Sequence, residues 1–364
     1  MVCLQNCSGT LTNSAGTVFF NHFAMKNLLK IIIPQWNLQS GAQLTNVVLS
    51  YQFFGPVLGT APVVLVNHAL TGNSNVGGYN GWWKTLIGEE KTIDTNYFFT
   101  VIAFNIPGNG FDDDTDNLIH NYKDFTAKDV AHVFWLGLQQ LGISQLHTII
   151  GGSLGGGIAW EMAAIEPKKV ANLISVATDW KATDWVVANT LVQDRILNNS
   201  VNPVADARLH AMLLYRTPQS LQGRFNNAYI DDAFAVEHWL NRHGKNLEER
   251  FMLPAYKLMN HLLKTINIAK DGSFEAVAKT ITAAIHLVSV DTDLLFTAEE
   301  TRKTYEALKQ NGNEVYYNEI RSIHGHDAFL IEWEQLAQIL APVFNNNITI
   351  KDYKRNHAEN LKIA

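Results

Sequence analysis

The chain has 364 residues, 47% of them hydrophobic and 17% charged, with a formal net charge of -6. That composition suits a globular chain that buries a large core, as one large domain or two, and excludes disordered and fibrous classes. The acidic balance argues against non-specific nucleic-acid binding, and no apolar run approaches the roughly 18 residues that cross a bilayer, so no membrane association is expected.

Residues 1–24 are rich in Ser, Thr, Asn and Gly, and carry neither the cationic n-region nor the apolar h-region of a secretory signal. They read as a disordered extension without function, with Met25-Lys26-Asn27 opening the folded chain. Cys3 and Cys7, the two cysteines, both fall there. No His or Cys cluster elsewhere completes a metal or redox site with them, so they read as incidental thiols, and no metal is expected. A fold without disulfides suits a reducing compartment, and a cytoplasmic location is expected.

Runs rich in Val, Ile and Phe predict strands over Leu28–Ile33, Val47–Phe53, Pro62–Asn67, Phe98–Asn105, Leu146–Gly151, Ala171–Ala177, Ala284–Val290 and Glu314–Ile320. Helical patterns lie between or after several of them, at Ala127–Leu141, Gly157–Ile165, Ala298–Gln310 and Leu330–Phe344. Apolar strands alternating with helices indicate an α/β fold with a mostly parallel central sheet covered on both faces, opened by an antiparallel pair. From Trp180 to Thr280 only helical patterns appear, at Asp184–Leu197, Ala205–Tyr215, Asp231–Arg242 and Leu253–Asn267. Residues 25–179 and 281–350 are therefore expected to form the core, and 180–280 a helical lid inserted into it. Asp112-Asp113-Asp114 reads as a solvated turn.

The strand Leu146–Ile150 runs into Gly151-Gly152-Ser153-Leu154-Gly155-Gly156, and a helical pattern follows. This is a G-x-S-x-G turn in the strand–helix context it requires. Glycine lets the tight turn close, and the serine is pushed out above the sheet edge. A lone serine is a weak nucleophile, so it needs a base, and the base needs an acid to orient it. In the α/β-hydrolase order Ser, acid, His, the acid candidates are Asp291 and Asp293, at the end of the strand that stops near Val290. The base candidates are His324 and His326, in the loop after the last strand. A second oxyanion donor should come from the loop Asn67-His68-Ala69-Leu70-Thr71-Gly72, which makes the backbone amides of Leu70 and Leu154 the expected pair. His68 reads as structural.

Together with this turn, Asn67-His68-Ala69-Leu70-Thr71-Gly72, Gly78-Tyr79-Asn80-Gly81-Trp82-Trp83, Asp293-Leu294-Leu295-Phe296 and Gly325-His326-Asp327-Ala328-Phe329 resemble the homoserine O-acetyltransferase family of the α/β-hydrolase superfamily, over about residues 27–345. The resemblance implies Ser153, Asp293 and His326 as the triad. Acetyl-CoA would be co-substrate, with no tightly bound cofactor, and L-homoserine or a similar amino alcohol the acceptor, within methionine biosynthesis. It implies a homodimer formed through the lid, and Asp327 as a ligand of the acceptor's amino group. The family's V-Q-R lid motif, whose arginine grips the acceptor carboxylate, meets Val192-Gln193-Asp194-Arg195 here. Asp194 stands at the arginine's place, so Arg195 would serve only after a shift of one residue, roughly 100° about the helix. The rival expectation is a serine hydrolase on the same scaffold.

Overall fold

The computed structural model describes residues 28–112 and 114–344. The expectations for residues 1–24, for both cysteines and for Asp113 fall outside the described residues. The sheet has eight strands: β1 (Leu29–Asn37), β2 (Gln43–Phe54), β3 (Val63–Asn67), β4 (Thr100–Phe104), β5 (Leu146–Gly152), β6 (Val170–Val176), β7 (Ala284–Val290) and β8 (Val315–Ile320). Their spatial order is β1-β2-β4-β3-β5-β6-β7-β8. β2 runs antiparallel to both β1 and β4, and every other pairing is parallel. The mostly parallel α/β sheet opening on an antiparallel pair is as the apolar runs predict.

β1 runs past its expected end because Pro34 does not stop it. The strand lies at the sheet edge, and its ladder with β2 steps from Ile33–Val47 to Gln35–Thr45, passing over the residue that has no N–H to donate. The central strands β3 and β4 are buried along their whole length, so both sheet faces need cover. α1 (Ala127–Gln140), α2 (Leu154–Ile165) and the helices after β6 pack with one face's apolar core. α11 (Trp333–Phe344) packs with the other, through Leu336, Leu340 and Phe344. The expected last helix is broken, since α10 (Ala328–Ile331) ends at Glu332 before α11 begins.

Between β6 and β7 the chain forms α3 (Asp184–Asn199), α4 (Pro203–Tyr215), α5 (Pro218–Phe225), α6 (Ala235–Glu248), α7 (Leu253–Thr265) and α8 (Phe274–Thr280). α3 to α7 leave and re-enter the core through a narrow neck. There Lys181 and Asn267 form an antiparallel bridge, the Ala182 N–H donates to Ile266 O at 2.8 Å, and the Ile268 N–H donates to Trp180 O at 3.3 Å. α5 begins with Thr217 accepting the Ser220 N–H and with Pro218 in its first turn, a start signal too short to stand out by periodicity. α9 (Ala298–Gln310) covers the edge between β7 and β8. Among the described residues no helix is long and apolar enough to cross a membrane, and no group of three or more His, Cys, Asp or Glu could hold a metal ion.

Candidate active site

β5 ends at Gly152 and α2 starts at Leu154, which leaves Ser153 alone on the turn with φ 54° and ψ -125°. A non-glycine residue with positive φ costs about 1–3 kcal/mol and persists only where its surroundings over-determine it. Here they do. The Ser153 N–H donates to Val176 O at 2.9 Å, and its carbonyl accepts from Gly156 and Gly157. A Cβ on Gly151 would lie 2.2 Å from the Gly155 carbonyl carbon, and one on Gly155 would lie 2.2 Å from Asn67 O. The turn closes only because those two positions have no side chain. α2 therefore begins three residues before its apolar pattern does, on glycines with poor helix propensity.

His326 sits on the short turn Gly325–Asp327 after β8. Ser153 Oγ lies 2.9 Å from its Nε2, and its Nδ1–H donates to Asp293 Oδ2 at 2.7 Å. The other carboxylate oxygen of Asp293 accepts the N–H groups of Leu295 and Phe296 at 2.7 and 3.0 Å. That fixes the acid's orientation and, through it, the tautomer of the imidazole. All three side chains are buried. Burial pulls the His326 imidazole down, but the adjacent Asp293 carboxylate, with Asp327 beyond it, holds it above its ordinary value. Tyr215, Phe296 and Phe329 surround the ring at centroid distances of 5.4, 6.0 and 5.6 Å. Trp83, from the Gly78–Trp83 segment, meets Phe329 edge-on at 6.3 Å.

The alternatives are engaged elsewhere. Asp291 accepts the Ser322 N–H at 3.0 Å and faces Arg321 at 3.6 Å. His324 Nδ1 accepts from Arg216 at 3.0 Å and meets Ser220 Oγ at 2.9 Å. Asp112 accepts from Asn117 at 2.7 Å and lies 3.8 Å from Lys30, and Asp114 caps the turn after it.

Leu70 and Leu154 are both buried, and neither backbone N–H has a hydrogen-bond partner among the described residues. Leu154 is the first residue of α2, where unpaired donors and the helix dipole both favour a developing negative charge. His68 holds the loop that carries Leu70. Its Nε2 accepts the Ile106 N–H at 3.1 Å, so its Nδ1–H donates to Ala69 O at 2.8 Å. Burial pushes this imidazole down to about 4, and it is the neutral ring that the geometry requires.

Asp327 follows the base and is half-buried. Its carboxylate has no hydrogen-bond partner among the described residues, and burial pushes its pKa up against the pull of Arg208, His326 and Arg216. Arg195 is not brought to this site: it lies on the exposed face of α3, two positions past Gln193, which is buried. Two residues are roughly 200° of helix rotation, so the two side chains point opposite ways. Asp194 accepts the Tyr122 hydroxyl at 2.8 Å. Among the arginines that do approach is Arg208 on α4, whose guanidinium stands 5.4 Å from the Tyr215 ring centroid. Its signal in the sequence is the spacing of seven from Tyr215, two helical turns that put both on one face.

A cavity of about 20 Å³ lies beside the oxyanion loop, lined by Leu70, Thr190, Gln193, Tyr215, Tyr256 and Leu295, among others. It has room for about one water molecule or a methyl group. Gln193, one of the lining residues, has an Oε1 without a hydrogen-bond partner. A larger, open cleft of about 970 Å³, lined by Gln35, Trp135 and Lys169 among others, includes none of the three triad residues.

The alpha/beta hydrolase fold family matches residues 62–237. The chain is 32% identical to the homoserine O-acetyltransferase of Cyclobacterium marinum, over 85% of this chain and 93% of that one. It is 30% identical to the homoserine O-acetyltransferase of Methanococcus vannielii, over 92% of this chain and 74% of the other. Among solved structures it is similar to homoserine O-acetyltransferase from Bacillus anthracis, with TM-score 0.79 and 19% identity over 88% of this chain and 98% of that chain. It is also similar to esterase E22, with TM-score 0.78 and 18% identity over 87% and 99%. At such identities the structural likeness shows the fold alone, and transferase and esterase share it.

Proposed function

Because the chain belongs to the homoserine O-acetyltransferase family, we propose that it moves an acetyl group from acetyl-CoA to the hydroxyl of L-homoserine through an acyl-enzyme on Ser153. The observation that carries this reading is the unbroken hydrogen-bond chain from Ser153 through His326 to Asp293, buried beside two unpaired backbone amides.

His326 Nε2 takes the Ser153 proton as Oγ attacks the thioester carbonyl. The amides of Leu70 and Leu154 receive the oxyanion, and the imidazolium returns the proton to the departing CoA sulfur. The acceptor hydroxyl then attacks the acetyl-serine, with His326 taking its proton and passing it back to Ser153. Asp293 holds the tautomer throughout and stabilises the imidazolium. The cavity beside Leu70, at about 20 Å³, has room for an acetyl methyl. An amino-acid acceptor is a zwitterion; Asp327 follows the base and Arg208 stands across the Tyr215 ring from it, a carboxylate and a guanidinium that both lack an ion-pair partner among the described residues.

Residues 180–280 act as the lid that keeps water from the acetyl-serine, which is what separates a transferase from an esterase on this scaffold. Trp185, Leu191 and Val192 leave an apolar face on α3, the face on which a homodimer forms through the lid. The enzyme works in the cytoplasm, in methionine biosynthesis. The test is CoA release from acetyl-CoA with and without L-homoserine. Release that requires homoserine is expected; release at the same rate without it, or rapid cleavage of simple esters, makes the chain a hydrolase.

A further inference from the structure

Five of the nine arginines (Arg208, Arg216, Arg224, Arg242 and Arg250) fall between residues 208 and 250. Among the described residues none of the five has a carboxylate within ion-pair distance, although the protein as a whole is acidic. Two of them already have work. Arg216 is buried and bonded to Ser220 and His324, and Arg250 donates to Thr71 O at 3.1 Å in the oxyanion loop. Arg208 belongs to the acceptor. Arg224 and Arg242 are exposed, and neither has a hydrogen-bond partner among the described residues.

These last two flank an aromatic pair on α6. Trp239 and His243 meet edge-on at 4.4 Å, and the guanidinium of Arg224 stands 5.6 Å from the Trp239 ring. Burial, together with the field of Arg208, Arg224, Arg216 and Arg242, pushes the His243 imidazole down to about 4. The cluster joins the active site by a short path: the His326 ring, the Tyr215 ring 5.4 Å away, then Arg208 5.4 Å beyond.

A concentration of guanidinium groups without carboxylate partners around a half-buried aromatic pair suits a ligand that carries phosphates and a flat base. A CoA thioester has both, separated from the reacting carbon by the pantetheine arm, so its anionic end must rest at a distance from Ser153. We propose that Arg224, Arg242 and Trp239 form the subsite for the phosphorylated adenine nucleotide of the CoA donor, an assignment that rests on the acetyl-CoA reading above.

The test compares acetyl-CoA with S-acetylpantetheine, which has the same thioester and neither phosphate nor adenine. Wild-type enzyme should prefer acetyl-CoA in kcat/KM by at least about tenfold, through the donor KM. The preference should fall as ionic strength rises and should collapse in the R224Q/R242Q double variant. Adenosine 3′,5′-bisphosphate should compete with acetyl-CoA on the wild-type protein, a readout that does not depend on how the variant folds. An absent wild-type preference, an undiminished preference in the double variant, or a penalty that falls on the homoserine KM instead overturns the subsite. Wild-type enzyme that releases no CoA from acetyl-CoA overturns the transferase reading, and the subsite with it.

Discussion

Glu161 on α2 accepts the backbone N–H of Asn267 at 2.9 Å, which ties the helix behind Ser153 to the neck of the inserted helices. The side chain is 1% exposed, and burial raises its carboxyl from 4.5 to about 7. As pH rises from 4.5 to 7, the unfolded chain gives up this proton while the folded chain keeps it, so the group's contribution to stability falls across that window. Above it the fold carries a buried carboxylate. Glu161→Gln keeps an acceptor oxygen and has no proton to lose. The variant should be more stable than wild type by on the order of 2 kcal/mol at pH 8, and the advantage should vanish below the unfolded-state value, at about pH 4. Urea denaturation at the two pH values reads the difference; an equal difference at both would remove the titration from the account.

Gly155→Ala tests whether the elbow depends on close backbone approach. The added Cβ would meet Asn67 O at 2.2 Å and the carbonyl of His68 at 2.7 Å, and neither is a flexible side-chain end that could move aside. Overpacking costs about 1–3 kcal/mol in cores that can yield, and this contact should reach or pass the upper figure. Gly223→Ala, with nothing within 4 Å, is the control and should leave the melting temperature within a degree or two of wild type. A Gly155→Ala protein that melts with the control would show that the elbow relaxes.

The strands were legible because buried parallel strands are runs of Val, Ile and Phe, a pattern that needs no tertiary context. So were the positions of Ser153, Asp293 and His326, since each lies in the turn or loop that follows a β-strand, and the order of the strands brings them within hydrogen-bond distance. The choice of Asp293 over Asp291, and of His326 over His324, came from family resemblance and not from spacing. Both pairs alternate by two residues, and only the folded loop shows Asp291 turned to Ser322 and His324 to Arg216. Arg208, which we propose for the acceptor carboxylate, was missed for a different reason. Helix phase decides which side chain faces the site, and α3 buries Gln193 while α4 supplies Arg208, a relation between two helices that no local motif carries. His68 was read as structural, and its neutral bridge to Ile106 gives the reason.

Arg208→Gln should raise the KM for L-homoserine while leaving the first acylation of Ser153 by acetyl-CoA close to wild type. Losing a charge-assisted contact to a carboxylate is worth about 1.5–3 kcal/mol, which is roughly tenfold to a hundredfold in KM. Asp327→Asn should act on the same parameter, because it removes the charge proposed to face the acceptor's ammonium. Arg195→Gln, on the outer face of α3, should change neither step. Stopped-flow CoA release separates acylation from deacylation; an Arg195 effect as large as that of Arg208 would move the acceptor site to α3.

Asp293→Asn should act on both the height and the position of the pH profile. The base works only when neutral, so kcat/KM rises with pH through the His326 pKa, which its surroundings hold above the ordinary 6.5. Removing the carboxylate removes the charge that supports the imidazolium while leaving burial, which lowers the pKa, in place. The acid limb should therefore move to lower pH, because the imidazole becomes a weaker base. The plateau should fall by about 10⁴-fold, because the amide can hold the wrong tautomer and cannot stabilise the transition-state imidazolium. Ser153→Ala should lower kcat by about 10⁶-fold with no acid limb left to shift. A pH profile of Asp293→Asn with wild-type acid limb and a reduced plateau would mean that another group sets the limb, and that the Nδ1 contact at 2.7 Å orients the ring without tuning it.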